Sequence, residues 1–359
     1  MLPNHGANPH HVYEALNIEK PAQLIDFSEN VNHLPFPLAL SIDTLMPMMT
    51  AYPDPFGEPF LSKVTAYHHV ATKNVLLGNG AAEIFALLGN LLHGERVIII
   101  HPTFSEYEAT LAPHDVIFER LIVEDVATYE LPMTAIERAL PKARAIYICT
   151  PNNPTGVLPP KDDLYQIIDL AEKTDTLVVL DEAFIDFIGE QYALIEQAPA
   201  WSHVIVVRSM TKMYKIPGLR LGYAVAHEAL IAQLKQYTAH WHINGLAASI
   251  GADMLEQADY RKQTIEAVTT ARDAFMHFLK RHRYNTTNSV TNYVSFQLPE
   301  PSMSDAFYVF MLKRGIVLRH TKNFRGMDGG WFRVGMKAPA KMNVLKEGIE
   351  AWHEHLLSL

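Results

Sequence analysis

The sequence predicts an α/β protein with a mainly parallel central sheet, helices on both faces of that sheet and a smaller α+β part near the C-terminal end. Two observations support this fold class. Between residues 74 and 226, short runs rich in Val, Ile and Leu alternate with amphipathic stretches, which is the pattern of βαβ units. Three more strand-like runs follow a long helical stretch. The chain has 359 residues, 48% of them hydrophobic, and can therefore form a large core.

The first predicted elements lie between residues 74 and 150. In chain order they are the strand "NVLLG", the helix "AAEIFALLGNLL", the strand "RVIIIH", the helical stretch "SEYEATLAPH", the strand "VIFERLIV", the helix "TAIERALPKA" and the strand "AIYICT". The alternation favours a parallel sheet, because parallel strands need a crossover that is usually a helix.

The alternation continues to residue 226 and then gives way to helix. The next elements are the helix "KDDLYQIIDLAEKT" and the strands "TLVVLDEAF", "HVIVVRSM" and "RLGYAVA", followed by a helical pattern over 245–283 and the strands "YVSFQL", "GIVLRH" and "WFRVGM". Residues 1–50 are rich in Pro and His and are predicted to be broken loops. We predict an N-terminal arm or lid (1–45) joining the small domain, a large α/β domain carrying the ligand site (46–245), and a connecting helix with a small α+β domain (246–359).

Charge and composition argue against several classes of partner. The formal net charge is −9, so bulk binding to nucleic acid or to an anionic membrane is not expected. The basic cluster "KRHRY" at 280–284 is interpreted as a solvated helix end. No apolar run reaches the roughly 20 residues that span a bilayer, and no signal-peptide pattern opens the sequence. Cys149 is the one cysteine, interpreted as a small buried hydrophobe, so we expect a cytoplasmic protein without disulfides.

Polar side chains follow several of the predicted strands directly. Asn153 comes after "AIYICT", Asp181 after "TLVVL", and Ser209 and Lys212 after "HVIVVR". In sheets of this kind, ligands bind beyond the carboxyl ends of the strands. The sequence therefore predicts that these side chains converge on one ligand site.

The segment "LGNGAAEIFALL" places Gly80, Ala81 and Ala82 where a strand ends and a helix begins. The free N–H groups and the positive end of the helix dipole favour an anion there. Small residues let a phosphate approach the backbone. The alternative is an ordinary Gly-rich turn, because the third glycine of a dinucleotide fingerprint and the lysine of a P-loop are missing.

Two further motifs could bind the ring of a ligand. In "CTPNNPTG", prolines stiffen a turn on which Asn153 could keep a hydrogen bond fixed, although both asparagines could simply cap the turn. Asp181 ends an apolar strand, where burying its charge costs free energy unless a cationic partner offsets that cost. A protonated pyridine nitrogen is one such partner. The alternative is that Asp181 caps a helix or forms a structural ion pair.

Lys212 follows the small hydroxyl residues Ser209 and Thr211, which are suited to hydrogen-bond a phosphate. A lysine that is partly desolvated near other cations loses proton affinity and becomes a nucleophile for a carbonyl. An anion cradle, a partner for a ring oxygen, an acid for a ring nitrogen and a lysine for an aldehyde together describe a pyridoxal 5′-phosphate (PLP) site.

The ordered motifs "TPNNPTG", "DEAF" and "SMTKMYKIPGLRLGY" resemble the fold-type-I aminotransferase superfamily of PLP enzymes over nearly the whole chain. The resemblance implies that Lys212 holds the cofactor covalently, Asp181 pairs with its pyridine nitrogen and Asn153 binds its ring oxygen. It further implies phosphate contacts from Gly80, Ala81, Ala82, Ser209 and Arg220, and stacking by Phe104. Tyr52 in "AYPDP" resembles a tyrosine that reaches the cofactor of the other subunit, which implies a homodimer with shared active sites.

Within that superfamily, two sister groups are similar to this chain: threonine-phosphate decarboxylases of cobalamin synthesis and histidinol-phosphate aminotransferases. "HGAN", "LIDFSENVN" and "GIVLRHTKNFRGMDGGWFRVGM" resemble the decarboxylases. The aminotransferases more often carry a tyrosine where Phe184 stands. The resemblance implies a small phosphorylated amino acid as substrate. The implied substrate-binding residues are His5, Asn32, Asn153, Arg319 and Arg333.

We therefore expect decarboxylation of O-phospho-L-threonine to aminopropanol phosphate. Transamination, of histidinol phosphate or a related amino acid, is the enzymatic alternative. A non-catalytic ligand-sensing domain is the rival of another class, but such regulators carry an added basic DNA-binding segment. The pairs His10–His11 and His68–His69 lack carboxylate or cysteine neighbours at ligand spacing, so no metal site is predicted.

Overall fold

The computed structural model describes residues 2–358, and its central element is a seven-stranded sheet. The strands of the chain are β1 (Ile25–Asp26), β2 (Val75–Gly78), β3 (Arg96–His101), β4 (Ile117–Ile122), β5 (Ala145–Cys149), β6 (Leu177–Asp181), β7 (Val204–Ser209), β8 (Gly222–Ala226), β9 (Asn285–Thr286), β10 (Tyr293–Gln297), β11 (Ile316–Val317), β12 (Arg319–His320) and β13 (Trp331–Gly335). The large sheet has the order β2-β8-β7-β6-β5-β3-β4. Strand β8 runs opposite to the other six strands described in this sheet.

Helices cover both faces of the large sheet and the outside of the C-terminal part. They are α1 (Pro9–Leu16), α2 (Ile42–Thr50), α3 (Phe60–Tyr67), α4 (Ala81–Leu91), α5 (Glu106–Leu111), α6 (Met133–Ala139), α7 (Lys161–Thr174), α8 (Glu228–Lys235), α9 (Gly245–Leu255), α10 (Ala258–Arg281), α11 (Ser304–Lys313) and α12 (Pro339–Leu357). None of the helices described between residues 2 and 358 combines the length and the apolar character that crossing a membrane requires.

The strands of the large sheet are apolar on both faces. Along β6, Val178 and Leu180 pack into one hydrophobic cluster, whereas Leu177 and Val179 pack into another on the opposite face. Such strands are read from the sequence as continuous apolar runs and not as alternating ones, because helices bury both sides. The parallel register pairs Cys149 with Asp181 and so brings the carboxyl ends of β5, β6 and β7 together.

A separate hydrophobic cluster forms around the four-stranded antiparallel sheet β12-β13-β10-β9. The N-terminal segment belongs to this cluster: β1 pairs with β11, and the Tyr13 hydroxyl donates to the carbonyl of Leu312 at 2.8 Å. These contacts join the N-terminal segment to the C-terminal part. The domain boundaries at residues 45 and 245 stay a prediction.

Some elements differ from the predicted ones. The run "GIVLRH" forms two short strands, β11 and β12, which pair with β1 and β13 respectively. The helical pattern over 245–283 is interrupted after Leu255, because Gln257 leaves helical geometry. The proline-rich N-terminal region contains α1, where Pro9 occupies the first turn, and α2, which tolerates Pro47 inside it. Proline costs little in a first helical turn, since that N–H has no partner within the helix.

Candidate active site

A cavity of about 280 Å³ lies at the carboxyl edge of the large sheet. The strand-end residues predicted from the sequence meet there, as the parallel register requires. Predicted residues that line the cavity are His5, Ala81, Ala82, Phe104, Asn153, Asp181, Ser209, Lys212, Arg220, Arg319 and Arg333. Three parts of the chain form its walls: the N-terminal segment, the edge of the large sheet and the small sheet with its loops.

Lys212 stands in the loop after β7, and its half-buried side chain lines the cavity. Burial, together with the positive charges of Arg333 and Arg220, lowers the pKa of its amine to about 8. Its backbone carbonyl accepts a hydrogen bond from the N–H of Asn32 at 3.0 Å, which fixes the loop. A half-buried lysine beside other cations thus loses its proton more readily than an ordinary lysine, and its neutral form is a nucleophile.

Asp181, the last residue of β6, is only 4% exposed. Its Oδ2 accepts a hydrogen bond from the Tyr107 hydroxyl at 2.5 Å, and its Oδ1 accepts one from the N–H of Ala183 at 2.9 Å. Burial raises the pKa of this carboxyl, while the two donors and the charge of Lys212 oppose the rise. The sequence reasoning missed Tyr107, although its position three residues after Phe104 on a helical stretch was a usable signal.

The start of α4 forms an anion cradle. Gly80 precedes the helix with φ +83°, and a Cβ there would lie 2.6 Å from Nη2 of Arg220. The Arg220 guanidinium therefore lies directly against the backbone where the helix begins at Ala81. The Ser209 hydroxyl lies 2.8 Å from that of Thr211 on the same side of the cavity. Helix N–H groups, a guanidinium and a hydroxyl suit a phosphate ester, so the residues present fit the phosphate group of PLP.

Arg333, on β13, connects the walls of the cavity. Its Nη1 donates to Oδ1 of Asn153, and its Nη2 donates to the carbonyl of Ser28 at 2.8 Å. Its Nε is buried and has no hydrogen-bond partner among residues 2–358. Burial lowers the pKa of this guanidinium to about 10. A guanidinium that lines the cavity is suited to bind an anionic ligand group.

The N-terminal segment lies against the cavity through polar contacts. Arg319 donates to the carbonyl of Asn4 and, at 2.7 Å, to Oδ1 of Asn323. His5 lies 2.8 Å from Glu106. This hydrogen bond lowers the pKa of the Glu106 carboxyl, as does the charge of the imidazole when it is protonated. Arg319 and His5 therefore both face the cavity and anchor the segment that covers it, and their role in binding a substrate stays a prediction.

The structure corrects one predicted substrate residue. Among residues 2–358, Asn32 is not one of those that line the cavity. Its amide donates to the carbonyl of Met213 at 2.9 Å and to the Thr264 hydroxyl at 2.7 Å. These internal bonds give Asn32 a structural role. Asn30, two residues earlier in the same motif, lines the cavity. The sequence alone did not show which asparagine of this motif faces the cavity.

Tyr52 does not line the cavity of its own chain within residues 2–358 and is 87% exposed. Its ring packs on Trp241, with ring centroids 5.7 Å apart. Ile42, Met49 and Phe56 are exposed apolar residues close to it in sequence. The shared site therefore stays a prediction.

Glu29 is a cavity residue that the sequence reasoning did not select. Its carboxylate pairs with the ammonium of Lys337 at 2.7 Å, and that lysine is buried. The residue types gave no signal, because the partners lie 308 positions apart. Within residues 2–358, no group of three or more His, Cys, Asp or Glu side chains could hold a metal ion.

Comparison with known proteins gives the family. A model of the family described as aminotransferase class I and II matches residues 23–351. The chain belongs to this family. Enzymes of the aminotransferase class I and II family depend on PLP. Threonine-phosphate decarboxylase from Salmonella typhimurium is 30% identical over 342 residues, which cover 94% of this chain and 93% of that protein.

Other members of the aminotransferase class I and II family are similar to this chain as well. Histidinol-phosphate aminotransferase from Methanococcus aeolicus is 25% identical over 81% of this chain and 79% of its own length. The crystal structure of histidinol-phosphate aminotransferase from Clostridium acetobutylicum superposes with a TM-score of 0.86 at 26% identity, covering 92% of this chain and 100% of that one. The predicted fold class and the resemblance to fold-type-I aminotransferases are confirmed.

Proposed function

We propose that this chain is a PLP-dependent decarboxylase that converts O-phospho-L-threonine to aminopropanol phosphate. One observation carries the proposal: Arg319 and Arg333 line the same cavity as Lys212 and the phosphate cradle at Arg220. Two guanidinium groups beyond those needed for the cofactor phosphate suit a substrate with two anionic groups, a carboxylate and a phosphate. The similarity to the Salmonella enzyme supports the same activity.

The residues that would hold the cofactor are those predicted from the sequence. Lys212 supplies the amine for its aldehyde, Asp181 the partner of its ring nitrogen, and Asn153 a donor for its ring oxygen. Phe104 lines the cavity between the N-terminal segment and α5, where it could stack on the ring. When bound, PLP accepts the electron pair that remains on Cα after a bond to that carbon breaks.

Residues of the chain would carry out the remaining steps of the proposed reaction. Arg333 would bind the substrate carboxylate and fix the rotation about the bond from nitrogen to Cα, which selects the bond that breaks. Arg319 and His5 would bind the substrate phosphate, while the N-terminal segment excludes water from the cavity. Lys212 Nζ lies within the same enclosure and would deliver the proton that Cα takes up.

Transamination of histidinol phosphate is the second candidate, because aminotransferases of that specificity are similar to this chain in sequence and in structure. The two reactions differ in their need for an acceptor. A transaminase must pass the amino group to a keto acid and therefore binds two different molecules in one site. A decarboxylase needs no acceptor.

The deciding experiment measures carbon dioxide released from O-phospho-L-threonine by the full-length chain with PLP and without any keto acid. We expect turnover by the wild-type chain and by Lys215→Ala, and none by Lys212→Ala. A requirement for 2-oxoglutarate would contradict the proposal. So would histidinol phosphate converting the cofactor to its amine form faster than O-phospho-threonine releases carbon dioxide.

A further inference from the structure

Among residues 2–358, the hydroxyl of Tyr107 makes one hydrogen bond, and that bond goes to Asp181. Tyr107 lies on α5 and is 0% exposed, and its hydroxyl donates to Oδ2 of Asp181 at 2.5 Å. It does not line the described cavity. Tyr107 therefore stands behind the carboxylate, on the side away from a ligand.

The surroundings of Tyr107 fix its position. Its ring packs edge-on against Phe104, with centroids 5.7 Å apart and planes at 88°. Phe85 and Tyr147 enclose it on other sides, with centroids at 5.0 Å and 5.3 Å. A ring enclosed in this way has little freedom, so its hydroxyl is held at one point relative to Asp181.

Asp181 depends on few donors to remain charged. Burial favours its neutral form, which raises the pKa of the carboxyl, and the described donors that oppose this are the Tyr107 hydroxyl and the N–H of Ala183. The Ala183 donor is part of the turn after β6 and cannot be removed by a side-chain change. Of these two donors, the Tyr107 hydroxyl is thus the one that a side-chain substitution can remove, and it helps to keep Asp181 ionised.

We propose that Tyr107 is a positioning residue: it keeps Asp181 ionised and directs the free side of that carboxylate toward the protonated pyridine nitrogen of PLP. This inference rests on the proposed function, because it presumes that PLP occupies the cavity. A carboxylate held from behind by a hydroxyl forms a stronger ion pair with a pyridinium than a carboxyl that burial has neutralised. The protonated ring nitrogen is what makes the cofactor an effective acceptor of electrons.

Tyr147 provides a matched control. Its ring touches that of Tyr107, it is equally buried, and its hydroxyl has no hydrogen-bond partner within residues 2–358. Tyr107→Phe and Tyr147→Phe each remove one buried hydroxyl from the same aromatic cluster. Only the first removes a bond to Asp181, so a difference between the variants reports that bond.

The experiment compares the affinity of the full-length chain for PLP and for 1-deazapyridoxal phosphate, in which a carbon replaces the pyridine nitrogen. We expect Tyr107→Phe to weaken PLP binding about tenfold, the effect of losing a hydrogen bond to a charged group. Its affinity for the deaza analogue should stay within about twofold of wild type, since that analogue has no ring nitrogen for Asp181 to hold. Tyr147→Phe should leave both affinities unchanged.

Two results would overturn the assignment while leaving the proposed function intact. One is an equal loss of affinity for PLP and for the deaza analogue in Tyr107→Phe, which would indicate a general packing role. The other is an undiminished effect of Tyr107→Phe on PLP affinity in an Asp181→Asn background, since a residue acting through Asp181 should lose its effect there. Failure of the wild-type chain to bind PLP would instead overturn the proposed function, and this assignment with it.

Discussion

Lys212 is the side chain on which the proposed chemistry depends, and its environment gives a pH prediction. Burial, with Arg333 and Arg220 nearby, lowers the pKa of its amine to about 8. The neutral, nucleophilic amine is the form present above that pKa. In the chain freed of cofactor, labelling of Lys212 by a small acylating reagent should rise with pH and level off above about pH 8, while exposed lysines continue to rise beyond pH 9. Peptide mass spectrometry after pulse labelling measures this, and a midpoint near that of exposed lysines would contradict it.

Arg333 gives a second prediction at the scale of the residue. Its planar fork bonds Asn153 and Ser28, and its free Nε is buried. Arg333→Lys keeps the charge but cannot reproduce that geometry, so we expect kcat/KM for O-phospho-L-threonine to fall about tenfold to a hundredfold.

The control for this prediction is Arg314→Lys, since Arg314 is an exposed cation that packs over Phe310. It should leave kcat/KM unchanged. The absorbance of bound cofactor shows whether each variant is loaded. Wild-type kcat/KM in a fully loaded Arg333→Lys enzyme would show that the carboxylate is held elsewhere.

Much of the site could be predicted from the sequence, because residues at strand ends are recognised without information about distant contacts. Asp181, Ser209 and Lys212 each follow an apolar run, and a parallel sheet brings such positions together. The distinction between Asn30 and Asn32 depends on partners such as Thr264, which lies 232 positions away. No local pattern contains that information.

At the scale of elements, a buried ion cluster joins the strand ends that carry the site. Arg208, next to Ser209 on β7, is 1% exposed. It donates to Glu182, which follows Asp181, at 2.9 Å and to Glu190 at 2.8 Å. The ion pairs thus hold the ends of β6 and β7 together. Their partners Glu182 and Arg208 are adjacent in sequence to Asp181 and Ser209, two predicted cofactor contacts.

Arg208→Met should therefore destabilise the fold strongly. It leaves buried carboxylates without their cation, which costs about 3 to 5 kcal/mol in comparable sites. Urea unfolding of the two proteins measures the loss. Lys322→Met is the control, because its ion pair with Asp305 is exposed and should contribute little. An equal effect of both substitutions would refute the structural role of the cluster.

The strands of the large sheet followed the sequence closely, as did β10 and β13 of the small sheet, whereas the N-terminal elements did not. Strands such as β3 and β5 are short apolar runs with clear ends, so their pattern is unambiguous. The N-terminal helix α1 was missed because it is only 8 residues long and begins at Pro9. Its stability comes from packing of Val12 and Tyr13 on the C-terminal core, which is a long-range contact.

At the scale of the whole molecule, the exposed apolar surface around Tyr52 and Trp241 favours association of two chains. We predict that Tyr52 completes the site of a partner subunit. Subunits carrying Tyr52→Ala, mixed with subunits carrying Lys212→Ala, should form hybrid dimers with one intact site. Random exchange of equal amounts should restore about a quarter of wild-type activity.

The matched control for this experiment mixes Asp181→Ala with Lys212→Ala. Both residues line the cavity of one chain, so no hybrid contains an intact site and no activity should return. Recovery in this control, or none in the first mixture after verified exchange, would rule out a site shared through Tyr52.

The central claim is that PLP is held covalently by Lys212, and peptide mapping tests it most directly. Borohydride should fix the cofactor to the holoenzyme, and the label should fall in the peptide that begins at Ser209 after cleavage behind Arg208. Fragment ions then separate Lys212 from Lys215, which lies three residues on in the same stretch. We predict one label for each chain, on Lys212. A label on Lys215 or elsewhere, or none in a chain saturated with PLP, would contradict the account.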